Sequence, residues 1–306
     1  MGKKKIEKTV RELNKLTGLN FQLDLTEIDD TDEAVIRLEQ IVDSWKEKNS
    51  RYAYWKRLVT GELAGDEMMS GAARFHVKVD ERRTLYVVET AQKDNEMAID
   101  ILRQLFVVRT NDVVFGVDGS RIALVRTPKD NETMEDIRKT ARTIVDMLNA
   151  EAMIRVRVAY ASQVKSLEKM PRLFSEARVA LEIGRIFYMN EHIVCYNSLG
   201  IGRLIYRIPL DTCRRFLKEV YGRESYVEFD EETQQTVDTF FAHNLNISET
   251  ARRLYVHRNT LVYRLEKLRQ MTGLDIRTFD DAMTFRIASM VADYLRDQEG
   301  RNGGAH

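Results

Sequence analysis

The sequence has little proline, little cysteine and no net charge. Three prolines in 306 residues, at 128, 171 and 209, leave no room for long stiff linkers and point to a compact chain. The two cysteines, Cys195 and Cys213, match no metal-ligand spacing and form no disulfide framework, which suits a reducing, cytoplasmic setting. No run of apolar residues exceeds four, whereas a membrane-spanning helix needs about 20, so none is expected. The N-terminus, Met-Gly-Lys-Lys-Lys-Ile-Glu, has the basic start of a signal peptide but no apolar segment after it, so secretion is not expected. Lys plus Arg and Asp plus Glu each total 48, so the formal charge is zero. That excludes a chain that coats nucleic acid by bulk charge, and leaves open one small basic face.

What is present is enough apolar residue, 43%, for real cores, in a length that fits about two domains at roughly 150 residues each. Residues 4–16 and 32–63 read as helices, with Ile6, Val10, Leu13 and Leu16, then Val35, Leu38, Ile41 and Trp45, at helical spacing. Between them, Gly18 and the acidic Asp29-Asp30-Thr31-Asp32 read as a connector with a helix N-cap. Tyr52, Tyr54 and Trp55 read as core or a dimer face. Past Gly61, Gly65 and Gly71 the pattern changes. Arg74–Val79 and Thr84–Thr90 alternate as strands, and 95–106 reads as a helix with Met97, Ile101, Leu102 and Leu105 inward. Asp112–Val117 and Arg121–Arg126 form a hairpin around Asp118-Gly119-Ser120, since a DG turn between two β-rich runs is a strong local signal. A helix over 132–151 turns Met134, Ile137, Ala141, Ile144, Val145 and Leu148 inward. Met153–Tyr160 reads as a strand, 171–188 as a helix opened by Pro171, and Ile193–Tyr196 as a short strand. The middle is therefore an α+β sheet of the split βαβ kind, with helices on one side. From about residue 203 the chain is all helical: 209–221, 229–242, 246–254, 257–270 and 279–297.

One stretch carries a mechanism. Residues 243–277 read HNLNISETARRLYVHRNTLVYRLEKLRQMTGLDIR, two short helices around a tight turn. Asn246 caps the first, with Glu249 as its reciprocal partner. Ile247, Ala251 and Leu254 face inward, and Ala251 is small where two crossing helices approach. Tyr255-Val256 makes the turn, in place of the glycine common there, and His257 caps the second helix, whose buried stripe is Leu261, Leu265 and Leu268. The exposed side offers His257, Arg258, Asn259, Thr260, Tyr263, Arg264 and Lys267, with Ser248 and Arg252 on the preceding helix. Arg grips guanine O6 and N7, Asn grips adenine N6 and N7, and a helix N-terminus attracts phosphate. The window holds seven bases (Arg252, Arg253, Arg258, Arg264, Lys267, Arg269, Arg277) and three acids (Glu249, Glu266, Asp275), a local excess of +4 in a neutral chain.

The run Asn244–Leu265, with ISETARRL, VHRNTLVYRL and the TGLDIR tail, resembles the C-terminal helix-turn-helix of PucR/CdaR-type bacterial transcription regulators and is similar to the Fis-type DNA-binding end. The resemblance implies that His257–Arg264 is the recognition segment, and that the protein acts as a homodimer on double-stranded DNA with two half-sites. The 74–196 layout resembles the GGDEF-like domain of the same regulators, a degenerate relative of nucleotide cyclases. An active cyclase would carry a GG[DE]EF run at the hairpin tip, whose carboxylates hold divalent ions. Here the tip is Val117-Asp118-Gly119-Ser120-Arg121, with one carboxylate, so Asp118 and Gly119 read as turn residues and no catalysis is expected. Segment 203–221 resembles the family's connector.

Other constellations are weak. His76 stands alone, His192 and Cys195 lack a third partner, and Gly200-Ile201-Gly202 lacks a third glycine. The expected organisation is an N-terminal helical segment, 1–70, that dimerises or senses; a GGDEF-like α+β domain, 71–200; a connector, 201–228; a PucR-type helix-turn-helix domain, 229–300; and a tail, 301–306. The expected function is a cytoplasmic, sequence-specific transcriptional regulator without cofactor or metal, answering to an effector the sequence does not identify. The alternatives are a nucleotide-binding or nucleotide-processing protein using the cyclase-like domain, and a protein-interaction scaffold.

Overall fold

The computed structural model describes residues 2–17, 20–22, 31–48, 50–91, 95–107, 111–222 and 229–303. The chain divides into two compact units, Met1–Leu181 with Glu191–Ser198, and Glu182–Asn190 with Leu199–His306.

In the first unit, helices α1 (Gly2–Thr17) and α2 (Thr31–Lys48) pair through Ile6 and Val10 against Val35, with Ala34 and Leu38 alongside. Ile41, expected inward, is exposed, and Val42 is buried in its place. The acidic connector at Asp29-Asp30, its cap and Gly18 lie outside the described residues. The expected single helix over 32–63 is two. Ser50 starts α3 (Arg51–Thr60) afresh, its Oγ accepting from Ala53 N at 3.0 Å, and Gly61 ends it at φ +80°. Tyr54 and Trp55 are buried, so the aromatic cluster is core there, while Tyr52 stays exposed under the Arg103 guanidinium.

The strand expected over Arg74–Val79 does not form. Helix α4 (Gly65–Arg74) occupies the start of that stretch, and His76 follows at φ +53°. The alternation was real, but it spans a helix end, where Ala72 O accepts from Val77 N at 2.8 Å. Gly71 is what lets α4 lie against α3: a Cβ there would sit 2.3 Å from Tyr54 Cε2.

The sheet runs β2–β3–β1–β4–β5, from β1 (Thr84–Thr90), β2 (Val113–Gly116), β3 (Arg121–Arg126), β4 (Val156–Tyr160) and β5 (Ile193–Cys195). All neighbours are antiparallel except β4 and β5. Pairing sets Tyr86 opposite Leu124 and Tyr160, and Val88 opposite Ile122 and Val158. This face packs on α5 (Glu96–Phe106) and α6 (Met134–Ala152) through Ala98, Leu102, Ile137, Ala141, Ile144 and Leu148. The other face, Leu85, Val87, Ala123, Val125, Phe115 and Ala159, is buried as well. The expectation of a sheet covered on one side is thus corrected. Continuous apolar runs such as Leu85–Val88 and Ile122–Val125 are what two covered faces require.

Helix α5 lies one residue out of the expected phase. Ala98 and Leu102 face the core, while Met97 and Leu105 are exposed. Ile99 and Ile101 pack partly buried against the same core. Helix α6 keeps its expected stripe, except that Met134 is exposed beyond the Thr133–Asp136 capping box. Met153 ends α6 at φ +53° and is solvent-exposed, so the strand begins only at Val156. Helix α7 (Met170–Phe187) carries Pro171 in its first turn.

The second unit is helical: α8 (Ile201–Ile205), α9 (Leu210–Tyr221), α10 (Glu231–Ala242), α11 (Ile247–Arg253), α12 (Arg258–Thr272) and α13 (Phe279–Gly303). Cys213 and Leu217 of α9 pack on Ala288, Val291, Ala292 and Leu295 of α13. Among the described residues both cysteines are free, and no helix is long and apolar enough to cross a membrane.

Gly71→Ala separates two opposing effects. Helix propensity alone would favour alanine by about 1 kcal/mol. The Tyr54 ring cannot swing away, because its hydroxyl donates to Met68 O at 2.9 Å. The substitution is expected to destabilise the first unit by about 1–3 kcal/mol, read as a lower midpoint in urea unfolding.

Candidate nucleic-acid interface

Four helices build the site around one core. Val237 and Phe240 of α10, Ala251 of α11, Leu261, Leu265 and Leu268 of α12, and Ala282 and Phe285 of α13 are buried together. Phe229 and Phe241 close on the Phe285 ring at 5.8 and 6.3 Å between centroids.

The turns are set by backbone geometry and caps. Asp230 caps α10, its carboxylate accepting from Thr233 N at 2.8 Å. Asn244 and Leu245, at φ +54° and +60°, turn the chain out of α10. Asn246 Oδ1 then caps α11, accepting from Glu249 N at 3.0 Å. The expected return bond from Glu249 is replaced: its carboxylate takes the Arg252 guanidinium at 2.5 Å. That pairing holds the Glu249 carboxyl below the usual carboxylate range. Tyr255 makes the inter-helix turn at φ +55°, and Val256 packs partly buried against the core, its N–H bonded to Ala251 O at 3.0 Å. His257 caps α12 through Nδ1, which accepts from Asn259 N at 3.3 Å.

The nine expected contact residues separate by position. His257, Arg258, Asn259 and Thr260 form the exposed first turn of α12, with Tyr263 exposed one turn on and Ser248 exposed at the start of α11. Arg252 is exposed but paired with Glu249. Lys267 is half exposed, 3.9 Å from Asp230.

Arg264 departs from the expectation. Its side chain is only 21% exposed, and it turns back onto α10, 2.6 Å from Glu232 Oε1 and 3.3 Å from Thr236 Oγ1. The acidic start of α10 draws it there, a long-range partner invisible in a local window. The same holds for charge. Of the seven bases in the window, five stand in ion pairs: Arg252, Arg264, Lys267, Arg269 and Arg277. Arg253 and Arg258 are exposed and in no ion pair among the described residues. Sequence reasoning counted Arg253 only as charge; its exposure on the last turn of α11 makes it a phosphate candidate.

Residues 233–291 match the family model described as the PucR C-terminal helix-turn-helix domain, and residues 60–183 match the GGDEF-like domain. The chain thus carries a GGDEF-like domain followed by a PucR-type helix-turn-helix domain. It is 32% identical over 127 residues to a purine catabolism regulatory protein of Bacillus subtilis (strain 168), covering 40% of this chain and 24% of the relative. It is 22% identical over 240 residues to a carbohydrate diacid regulator of Escherichia coli (strain K12), covering 76% and 62%. A third relative, the DNA-binding transcriptional activator AdeR of Bacillus subtilis (strain 168), is 22% identical over 260 residues, covering 80% and 60%. The matched stretches thus span between about a quarter and three-fifths of these relatives' lengths.

In the GGDEF-like domain the hairpin tip is closed on itself. The Asp118 carboxylate accepts from Ser120 N at 3.0 Å, Arg121 N at 2.9 Å and Ser120 Oγ at 3.2 Å, and Arg121 Nε lies 2.9 Å away. That is an Asx turn on Oδ1, with Oδ2 paired to the Arg121 guanidinium. Among the described residues no three His, Cys, Asp or Glu side chains gather as a metal site.

In the PucR-type domain, Arg277 locks the end of α12. Its guanidinium reaches Asp275 at 2.6 Å and Glu266 at 2.8 Å. The Arg277 hydrogen bond holds the Asp275 carboxyl below its ordinary range. A carboxyl depressed in the folded state adds stability that is complete above its unfolded value, about 3.9, and is lost as pH falls through the folded one. The domain is expected to melt at lower temperature as pH drops below about 4, and Arg277→Met to flatten that slope, followed by circular dichroism.

Arg264→Met is expected to cost about 0.5–1 kcal/mol of stability, because Glu232 is largely exposed and its pairing is screened. The ratio of affinities for different duplexes should not change, which binding titrations alongside urea unfolding would show.

Proposed function

We propose that the chain is a sequence-specific DNA-binding transcriptional regulator of the PucR/CdaR type. The observation that carries this reading is the first turn of α12. It presents His257, Arg258, Asn259 and Thr260 to solvent at a capped N-terminus, and Arg258 has no acidic partner among the described residues. A guanidinium and an amide side by side can read guanine and adenine edges in the major groove, while Ser248 takes phosphate. Arg253 and Arg252 lie one helix away, where the backbone passes.

One recognition helix covers only a few base pairs, so the reading includes a homodimer on an operator of two half-sites. It also places the protein in the cytoplasm, with DNA as its macromolecular partner and a small-molecule effector of unidentified chemistry. The names of the purine and sugar-diacid regulators among its relatives suggest a catabolic or metabolic operon as the target. The GGDEF-like domain serves as scaffold or sensor. Use of that domain for nucleotide turnover is not favoured, because the hairpin tip offers a single carboxylate and its Oδ1 is taken up by the turn.

The test is a salt-titrated binding assay on duplexes selected by the protein from a random library and on the DNA upstream of its own operon. Selected duplex is expected to bind far more tightly than random duplex. Arg258→Ala and Asn259→Ala are each expected to lose about 1–3 kcal/mol of discrimination at one base position. Equal affinity for selected and random duplex would sink the reading.

A further inference from the structure

Tyr255 occupies a position that packing and backbone preference both argue against. Its φ of +55° lies in the left-handed region, where a glycine would sit without strain and an aromatic side chain does not. Its side chain gains nothing from burial in return, since the residue is 95% exposed. Its backbone N–H is held by Arg252 O at 3.3 Å, so the conformation is part of the turn rather than a loose end. Strain retained without packing calls for another use of the side chain. Tyr255 stands two residues before the His257 cap and three before Arg258, at the end of α12 that faces the groove on the reading above.

We propose that Tyr255 is a DNA-backbone contact, its phenol O–H donating to a phosphate oxygen at the edge of the groove and orienting the first turn of α12. The inference rests on the DNA-reading function and adds a residue to it. A phosphate contact fixes register without reading sequence. A neutral donor releases no counterion, so it leaves the salt dependence alone, unlike the arginines.

The experiment compares wild type with Y255F, Y255G and R258A, by fluorescence anisotropy on a selected and a random duplex and by thermal melting. Y255F is expected to bind both duplexes about three- to tenfold more weakly, with the same ratio between them, the same salt slope and the same melting temperature. Y255G should bind at least as weakly as Y255F while melting no lower than wild type, since glycine relieves the turn. Y255F binding as tightly as wild type would overturn the contact. A loss confined to the selected duplex would overturn it too, by assigning Tyr255 to a base. If wild type and R258A show no preference between the duplexes, the DNA-reading function itself fails, an outcome distinct from either of these.

Discussion

How closely α11 and α12 can cross decides everything about the reading head. Ala251 is buried at that crossing, and any larger side chain would lever the second helix outward. The short link Tyr255-Val256 permits no slack. It turns in two residues, which forces the left-handed backbone at Tyr255 and sends Val256 toward the core. With the crossing fixed, the Leu261, Leu265 and Leu268 stripe has one way to face Phe240 and Phe285. The opposite face of the first turn is then presented to solvent without choice. The exposed polar set is a consequence of where the leucines must go.

The helical domain and the centre of the sheet were legible because their signals are local. Strand Thr84–Thr90, the hairpin around Asp118-Gly119 and the α6 stripe follow from alternation, a turn dipeptide and helical spacing. The caps at Asn246 and His257 follow from residue type beside an apolar period. Failures occurred where a distant partner overrode the local pattern. Gly71 against Tyr54 kept Gly65–Arg74 helical and left no strand after it. The phase of α5 turned the small Ala98 to the core and left the larger Met97 and Leu105 exposed. Arg264 was expected on the exposed side because its window could not show Glu232, 32 residues earlier. Charge and size carry no record of who stands opposite.

The cap at His257 also defines the chemistry offered to a ligand. Nδ1 accepts from Asn259 N and is taken up by the cap, which leaves Nε2 as the ring's second polar atom. The first turn therefore presents an imidazole, a guanidinium, an amide and a hydroxyl, four groups that bond along fixed directions. Such a set favours directional hydrogen bonds over diffuse attraction.

The absence of net charge now has a physical meaning beyond exclusion. A +4 window suggested a cationic patch, but five of its seven bases are engaged by nearby carboxylates, from Glu249 to the acidic start of α10. Surface pairs of this kind are worth little and can yield to phosphate. Still, each exchange strands an acid close to the DNA and returns less than a free arginine would. On the proposed reading, one copy therefore holds DNA weakly and without much dependence on salt. On the same reading, affinity comes from a second copy engaging the other half-site, because linking two weak contacts raises the whole by the effective concentration of the second. A single misplaced half-site then forfeits that gain. On that reading, scarce free charge makes a homodimer rely on both half-sites being correct, which is a demand for sequence rather than for DNA as such.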